Sequence, residues 1–244
     1  MLSEVTGIVL RESDYKESSK LVQLLTKEYG LIRVLAKGAK NLKSDLRNPT
    51  TKLTYGTFYI YYKEDKLSTL VNVDVISYFQ KLKTDIEKIS YASYLLELSE
   101  QVMKENESCP MLELLISALQ KMEEGFSPLL LTNILELKAL AFLGVMPVLD
   151  GCSACGRKTS IATLSSSRGG YICNQCLTNE RIVSEKAIKL IRLFYYVEIS
   201  KISKLDVSIQ VQREINTFLE EYYDRYTGLY LKSKQFLNTL NQVM

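Results

Sequence analysis

The chain contains no histidine, which removes imidazole general bases, Ser-His-Asp and Cys-His nucleophile arrangements and every metal site built on imidazole. Other catalytic signatures are missing too. No GxxxxGK followed by Ser or Thr, no GxGxxG, no GxSxG and no HExxH pattern occurs, so nothing points to phosphate-loop, dinucleotide, serine-hydrolase or zincin chemistry. Internal repeats and low-complexity segments are absent. Residues Met1 to Leu10 have neither the basic nor the apolar region of a signal peptide. The most apolar stretch, Pro128 to Leu149, carries Asn133, Glu136 and Lys138 near its middle, where lipid would penalise them. A cytoplasmic protein without a membrane span is expected, with that stretch forming a buried core helix.

Cysteine is scarce as well, at five residues, and its arrangement is informative. Cys152-x2-Cys155 and Cys173-x2-Cys176 have the spacing of two zinc knuckles whose thiolates converge on one tetrahedral ion. In a reducing compartment such a pattern means metal rather than disulfides. Four protein thiolates leave no open coordination position, so one structural Zn2+ is expected, not a catalytic one. Gly156 and Asn174 suit the tight turns of the knuckles, and Arg157 and Lys158 offset part of the negative charge. Cys109 is left over and reads as a small hydrophobe.

Among 244 residues, 46% are hydrophobic and 24% charged, which suits a soluble chain with a substantial core. The net charge of +3 does not by itself imply a polyanionic partner, but its distribution is uneven. Residues 1–52 hold ten basic against six acidic side chains, and residues 53–150 eight against fourteen. Between Lys37 and Lys52, the residues Lys37, Lys40, Lys43, Arg47 and Lys52 face only Asp45. That stretch could lie along a phosphate backbone, or it could be an ordinary solvated loop.

Up to about residue 80 the pattern is that of short strands: Gly7 to Arg11, Leu21 to Thr26, Leu31 to Ala36, Leu53 to Tyr62 and Leu67 to Tyr78. Glu28-Tyr29-Gly30 and Lys63 to Lys66 read as hairpin connections, and Gly38 to Thr51 as a long loop. Five strands of this size favour an OB-fold barrel. In the fourth strand, Phe58, Ile60 and Tyr62 share one face and Tyr55, Tyr59 and Tyr61 the other. One face must be core; the other either covers the barrel or offers stacking surfaces for unpaired bases.

From Thr84 the period becomes helical. Thr84 with Glu87 reads as a capping box before an amphipathic helix, a second helix spans about Pro110 to Met122, and a third has Ser127 as N-cap, Pro128 at its first position and Gly144 with Pro147 as its stop. Helices resume after the cysteines, with Ser184 as a cap, and continue over about 206–226 and 233–240. The expected fold is α+β and multidomain: an N-terminal five-stranded OB-fold barrel over 1–80, a C-terminal helical bundle over 81–150 and 181–244, and an inserted four-cysteine zinc module over 151–180.

With these features in place, the chain resembles the RecO family of bacterial DNA repair and recombination mediators. The resemblance is carried by Gly7-Ile-Val-Leu-Arg11, Asp14-Tyr15-Lys-Glu-Ser18, Leu25-Thr26 with Tyr29-Gly30, Ala36-Lys37-Gly38-Ala39-Lys40, Leu143-Gly144 with Pro147, and the four cysteines. It implies a protein, not an enzyme, that binds single- and double-stranded DNA, anneals complementary strands and works with RecR to load recombinase, RecA, onto DNA coated by single-strand-binding protein. It also implies a cytoplasmic, nucleoid-associated location. Lys37 and Lys40 are the DNA-contacting residues it indicates most directly, followed by Arg11, Lys20, Lys43 and Arg47, and after Lys43 the loop departs from the family pattern at Asn48-Pro-Thr-Thr51. Two other classes compete: a zinc-containing protein-interaction adaptor without nucleic-acid affinity, and a zinc-containing DNA glycosylase. The latter lacks support because the chain starts Met1-Leu2-Ser3-Glu4, without the proline-glutamate start of those enzymes.

Overall fold

The computed structural model describes residues 2–64 and 66–243. It divides into two compact units, Met1–Ile116 and Ser117–Met244.

The first unit begins with five strands: β1 (Leu2–Tyr15), β2 (Ser19–Thr26), β3 (Gly30–Ala36), β4 (Tyr55–Tyr61) and β5 (Ser68–Ser77). They close in the order β1-β2-β3-β5-β4, with β4 returning to β1. All pairings are antiparallel except β3 with β5, which is parallel through Val34↔Ser68 and Leu35↔Thr69. This is the strand order of the OB-fold expected from the sequence. The barrel interior holds Val5, Val9, Val22, Leu24, Ile32, Val34, Phe58, Ile60, Leu70 and Val73, the inward half of each alternating strand.

β1 is much longer than the Gly7 to Arg11 segment anticipated. Its first half pairs with β4 and its second half with β2, and the register slips between Val9 and Arg11. Such a bulge breaks the alternation on which a strand is recognised in sequence. Leu53, expected to open β4, instead takes a left-handed backbone with φ 68 and is fully buried. It closes the long loop by donating its N–H to the Val9 carbonyl at 3.0 Å.

Two helices follow, α1 (Gln80–Lys83) and α2 (Ile86–Glu105). The capping box expected at Thr84 is not formed. Asp85 is the N-cap, its Oδ1 accepting from the N–H groups of Glu87 and Lys88 at 3.0 and 3.1 Å. Thr84 belongs to the end of α1 and turns its hydroxyl back to the carbonyls of Gln80 and Lys81. A carboxylate at the N-cap satisfies orphan amides and faces the positive end of the helix dipole, so it displaces the hydroxyl in that role. Helix α3 (Met111–Glu123) runs across the boundary of the two units.

The second unit is built on α4 (Pro128–Phe142), whose N-cap Ser127 accepts from Leu130 N–H at 3.3 Å, as expected. Eleven of its residues, Leu129 to Leu137 with Ala139 and Leu140, are buried. It is flanked by α5 (Glu185–Tyr196) and α6 (Ile209–Tyr226), with α7 (Lys232–Val243) last and a 3-10 turn at Ile199–Lys201. The polar residues that argued against a membrane span each serve one neighbour. Asn133 donates to Gln212 O of α6 at 2.9 Å, Lys138 donates to Tyr195 O of α5 at 2.6 Å, and Glu136 pairs with Lys234 of α7 at 3.3 Å. Among the described residues no helix is long and apolar enough to cross a membrane.

A two-stranded hairpin, β6 (Ile161–Ser165) with β7 (Gly170–Cys173), comes between α4 and α5 in the chain. It was not anticipated from the sequence, since its strands are five and four residues long and show little alternation.

Candidate metal centre and nucleic-acid interface

The hairpin brings the cysteine pairs together. Cys173 ends β7, and Cys152 sits on the preceding loop, where its N–H donates to Arg157 O at 2.8 Å and its carbonyl accepts from Gly156 N–H at 2.8 Å. Gly156 adopts φ +75, which a side chain would strain. In the second knuckle Cys176 and Leu177 both donate to Cys173 O at 3.0 Å. Asn174 does not take a left-handed conformation there; its N–H reaches across to Ser160 O at 2.9 Å, and Ser160 has the positive φ, at 57. The knuckle closes on its backbone bonds without needing Asn174 in that role.

All four sulfurs lie within 4.8 Å of one another, with Cys155 and Cys173 Sγ 3.7 Å apart. A tetrahedral ion with metal–sulfur bonds of about 2.3 Å requires sulfurs about 3.8 Å apart, so the cage has the right size. Burial alone would raise the Cys152 thiol, but backbone bonds involving Cys173, Ala154 and Cys155 outweigh it and hold Cys152 down to about 6. The sulfurs of Cys155 and Cys173 push Cys176 the other way, up to about 12. Four thiolates so close repel one another, and a divalent cation among them removes that conflict. Cys152, Cys155, Cys173 and Cys176 could therefore hold a metal ion. Cys109 lies elsewhere, its Sγ 3.5 Å from Met103 Sδ, with its thiol raised by burial.

The long loop after β3 is more ordered than its polar composition suggests. Ala39 is fully buried in the barrel core, Leu46 packs against that core, and the Thr50 hydroxyl donates to the carbonyls of Leu46 and Arg47 at 2.6 and 3.2 Å. Lys40 N–H donates to Ser18 O at 2.9 Å, which folds the loop onto the β1–β2 turn. The cross-strand register Asp14↔Lys20 and Lys20↔Ala36 places Lys20 beside the start of the same loop. Lys37, Lys43 and Arg47 are exposed, while Lys20 and Lys40 are half-buried. Lys40 Nζ is paired with Asp14 Oδ2 at 2.6 Å. Lys52 is half-buried, and burial lowers its pKa.

Arg11 stands apart from this group. Its Nη2 lies 2.8 Å from Glu100 Oε1, a buried carboxylate of α2 that also receives Lys104 at 3.0 Å. On the barrel surface Arg11 aligns with Gln23 and Arg33 across β1, β2 and β3, and Arg33 Nε donates to Gln23 Oε1 at 3.0 Å.

A groove of about 1030 Å³ opens beside this row. Leu21, Gln23, Leu31 and Arg33 line it from β2 and β3, Glu100, Met103 and Lys104 from α2, and Tyr29 and Tyr62 from the hairpin connections. Tyr29 and Tyr62 stack with centroids 3.9 Å apart and planes 6° from parallel. Strand periodicity does not reveal this pair, because it puts Tyr62 with Phe58 and Ile60 on the core face. Tyr62 does pack against the edge of that core, but it lies just past β4, where its ring also meets Tyr29. On the other face of β4, Tyr59 donates to Asp74 Oδ2 at 2.9 Å and Tyr61 is exposed.

A closed OB-type barrel with a basic loop, followed in the chain by helices and a cluster of four cysteines that could hold a metal ion, defines a class of OB-fold proteins with a helical C-terminal part. Comparison with known proteins makes the class specific. Residues 1–79 match the family profile "Recombination protein O N terminal" and residues 83–235 match "Recombination protein O C terminal". The chain is 36% identical to a DNA repair protein RecO of Listeria monocytogenes serotype 4b, over 99% of this chain and 96% of that one. It is 38% identical to the DNA repair protein RecO of Bacillus pumilus, over 100% of this chain and 96% of that one, and 34% identical to that of Halalkalibacterium halodurans, over 100% and 97%. The chain belongs to the RecO family, and its role lies in DNA repair and recombination.

Proposed function

We propose that this protein is a DNA-binding recombination mediator without bond-making activity, which binds single- and double-stranded DNA, anneals complementary single strands and, with RecR, helps load the recombinase RecA onto DNA coated by single-strand-binding protein. Family membership over the whole chain is the observation that carries this reading. In it, residues 1–80 form the nucleic-acid-binding domain, 81–150 and 181–244 the helical domain, and 151–180 a zinc module holding one structural Zn2+ on Cys152, Cys155, Cys173 and Cys176. Lys37, Lys40, Lys20, Lys43 and Arg47 contact phosphates. Arg11 joins them through whichever guanidinium nitrogens its bond to Glu100 leaves to solvent. Its place of action is the cytoplasm, at the nucleoid.

The zinc ion supplies folding energy, because ligands scattered in the unfolded chain are gathered only in the folded one. The protein's own residues do the rest: lysines and arginines neutralise phosphates and release counterions, a contribution independent of base sequence. The decisive assay mixes complementary strands, each coated with single-strand-binding protein, and follows duplex formation with and without RecR. Acceleration by this protein supports the reading. Duplex formation at the uncatalysed rate, with this protein also failing to bind either strand when uncoated, would favour an adaptor that binds proteins alone.

A further inference from the structure

The stacked tyrosines of the N-terminal groove have no part in phosphate binding or in the metal cage. Tyr62 covers one face of the Tyr29 ring, yet Tyr29 remains 40% exposed. Both tyrosines line the groove, so the exposed part of Tyr29 is offered beside the stack.

The turn that carries Tyr29 is firmly held. Thr26 Oγ1 accepts from Tyr29 N–H at 3.2 Å and donates to Gly30 O at 3.0 Å. Lys27 N–H donates to Thr6 O at 2.9 Å, and Glu28 Oε2 accepts from Thr6 N–H at 3.0 Å. Gly30, with φ +60, supplies the left-handed residue the turn requires, and a side chain there would press on Met103 Cε. A ring fixed in this way loses little freedom when another ring stacks on it.

The groove leading away from the pair has an apolar floor on which flat bases can rest. Leu21 and Leu31 form that floor, and Lys27, Arg33, Lys66 and Lys104 stand against Glu28, Glu64, Glu100 and Glu107. Arg33 uses its Nε on the neutral amide of Gln23, so that contact leaves its charge in place. Among the groove carboxylates, Glu100 is paired with Arg11 and Lys104, while Glu28 accepts a backbone N–H and keeps its charge. Glu64 and Glu107 are exposed, as are Lys27, Arg33 and Lys66, so salt screens both signs alike and the stacking surface is what distinguishes the groove.

We propose that the Tyr29–Tyr62 pair is a stacking platform for an unpaired nucleobase, and that a single strand enters the groove over Leu31 and Arg33 with one base resting on Tyr29. This rests on the reading that the protein binds single-stranded DNA, and it adds which residues separate an unpaired base from a bare phosphate backbone. Duplex bases are already stacked on each other, so the platform discriminates for single strands.

The test compares a 5′-labelled oligothymidylate, an abasic oligonucleotide of the same length and a duplex, each titrated with wild type, Tyr29→Ala, Tyr62→Ala, Tyr29→Phe and Tyr29→Trp. Tyr29→Ala should lose about fivefold or more in affinity for oligothymidylate, and neither the abasic strand nor the duplex should notice the change. Tyr29→Phe keeps a ring and should bind as wild type does. The chain has no tryptophan, so Tyr29→Trp creates a single indole whose emission should be quenched by oligothymidylate and not by the abasic strand. Wild-type affinity of both alanine variants for oligothymidylate would overturn the platform while leaving DNA binding intact, as would an equal loss on the abasic strand. Failure of the wild type to bind any of the three would remove the DNA-binding reading itself, and the platform with it.

Discussion

Arg11 and the four cysteines show what single residues decide. Cys173 is fully buried and its carbonyl receives two knuckle amides, so changing it takes away one of the four sulfurs that could hold a metal ion and disturbs the second turn. Cys173→Ser should abolish stoichiometric metal and lower the melting temperature sharply, measured by metal analysis and calorimetry on the same sample. One full equivalent of zinc retained would contradict the four-thiolate cage. At Arg11 the contact with Glu100 is structural, whatever DNA does with the remaining nitrogens. Arg11→Ala should destabilise the protein by about 1–3 kcal/mol, because it removes a charge-assisted bond from a buried carboxylate. Adding Glu100→Gln should recover part of that loss, and a denaturant double-mutant cycle reads the coupling. The residues most legible in the sequence were the cysteines, whose spacing anticipated that the four sulfurs would come together. Tyr29 and Tyr62 were not legible together, because they are 33 positions apart and meet only through the barrel's closure.

Among the elements, caps and loops separate what local sequence determines from what tertiary structure adds. Ser127 and Ser184 cap α4 and α5 as the sequence indicates, each accepting from a backbone N–H three residues on. The Ser184 cap has a second layer that came only with the fold: Glu214 of α6 accepts from Ser184 N–H at 2.9 Å and from its hydroxyl at 2.6 Å. Burial opposes the Glu214 charge, yet these bonds outweigh it and lower its pKa below the ordinary 4.5. A carboxylate with a depressed folded pKa stabilises above its unfolded value and loses that contribution as pH falls through the folded one. Wild type should therefore melt higher than Glu214→Gln by a constant margin above about pH 5, and the margin should shrink below pH 4.5. A margin that grows on acidification would overturn this assignment. The bulge in β1, the left-handed Leu53 and the Asp85 cap were hidden for a common reason: each depends on a pairing partner distant in sequence or on a short preceding element, and residue periodicity reports neither.

At the scale of the whole molecule, the order of parts was legible: strands, then helices, interrupted by paired cysteines. The five-stranded OB-fold was legible from the number and size of the strands, although the pairing registers that close it were not, because they are a property of the barrel. One electrostatic claim concerns the molecule as a whole, that a cationic surface around the loop after β3 holds a phosphate backbone. Replacing Lys37 and Lys40 together by alanine should weaken binding to all base sequences alike and reduce the salt slope by up to about two units. Fluorescence anisotropy of a labelled single strand, titrated with zinc-loaded wild-type protein across a series of salt concentrations, reads the phosphate contacts of this surface. Tight binding is predicted at low salt, with the logarithm of affinity falling linearly and steeply against the logarithm of salt. No binding at low salt, or an affinity indifferent to salt, would contradict it.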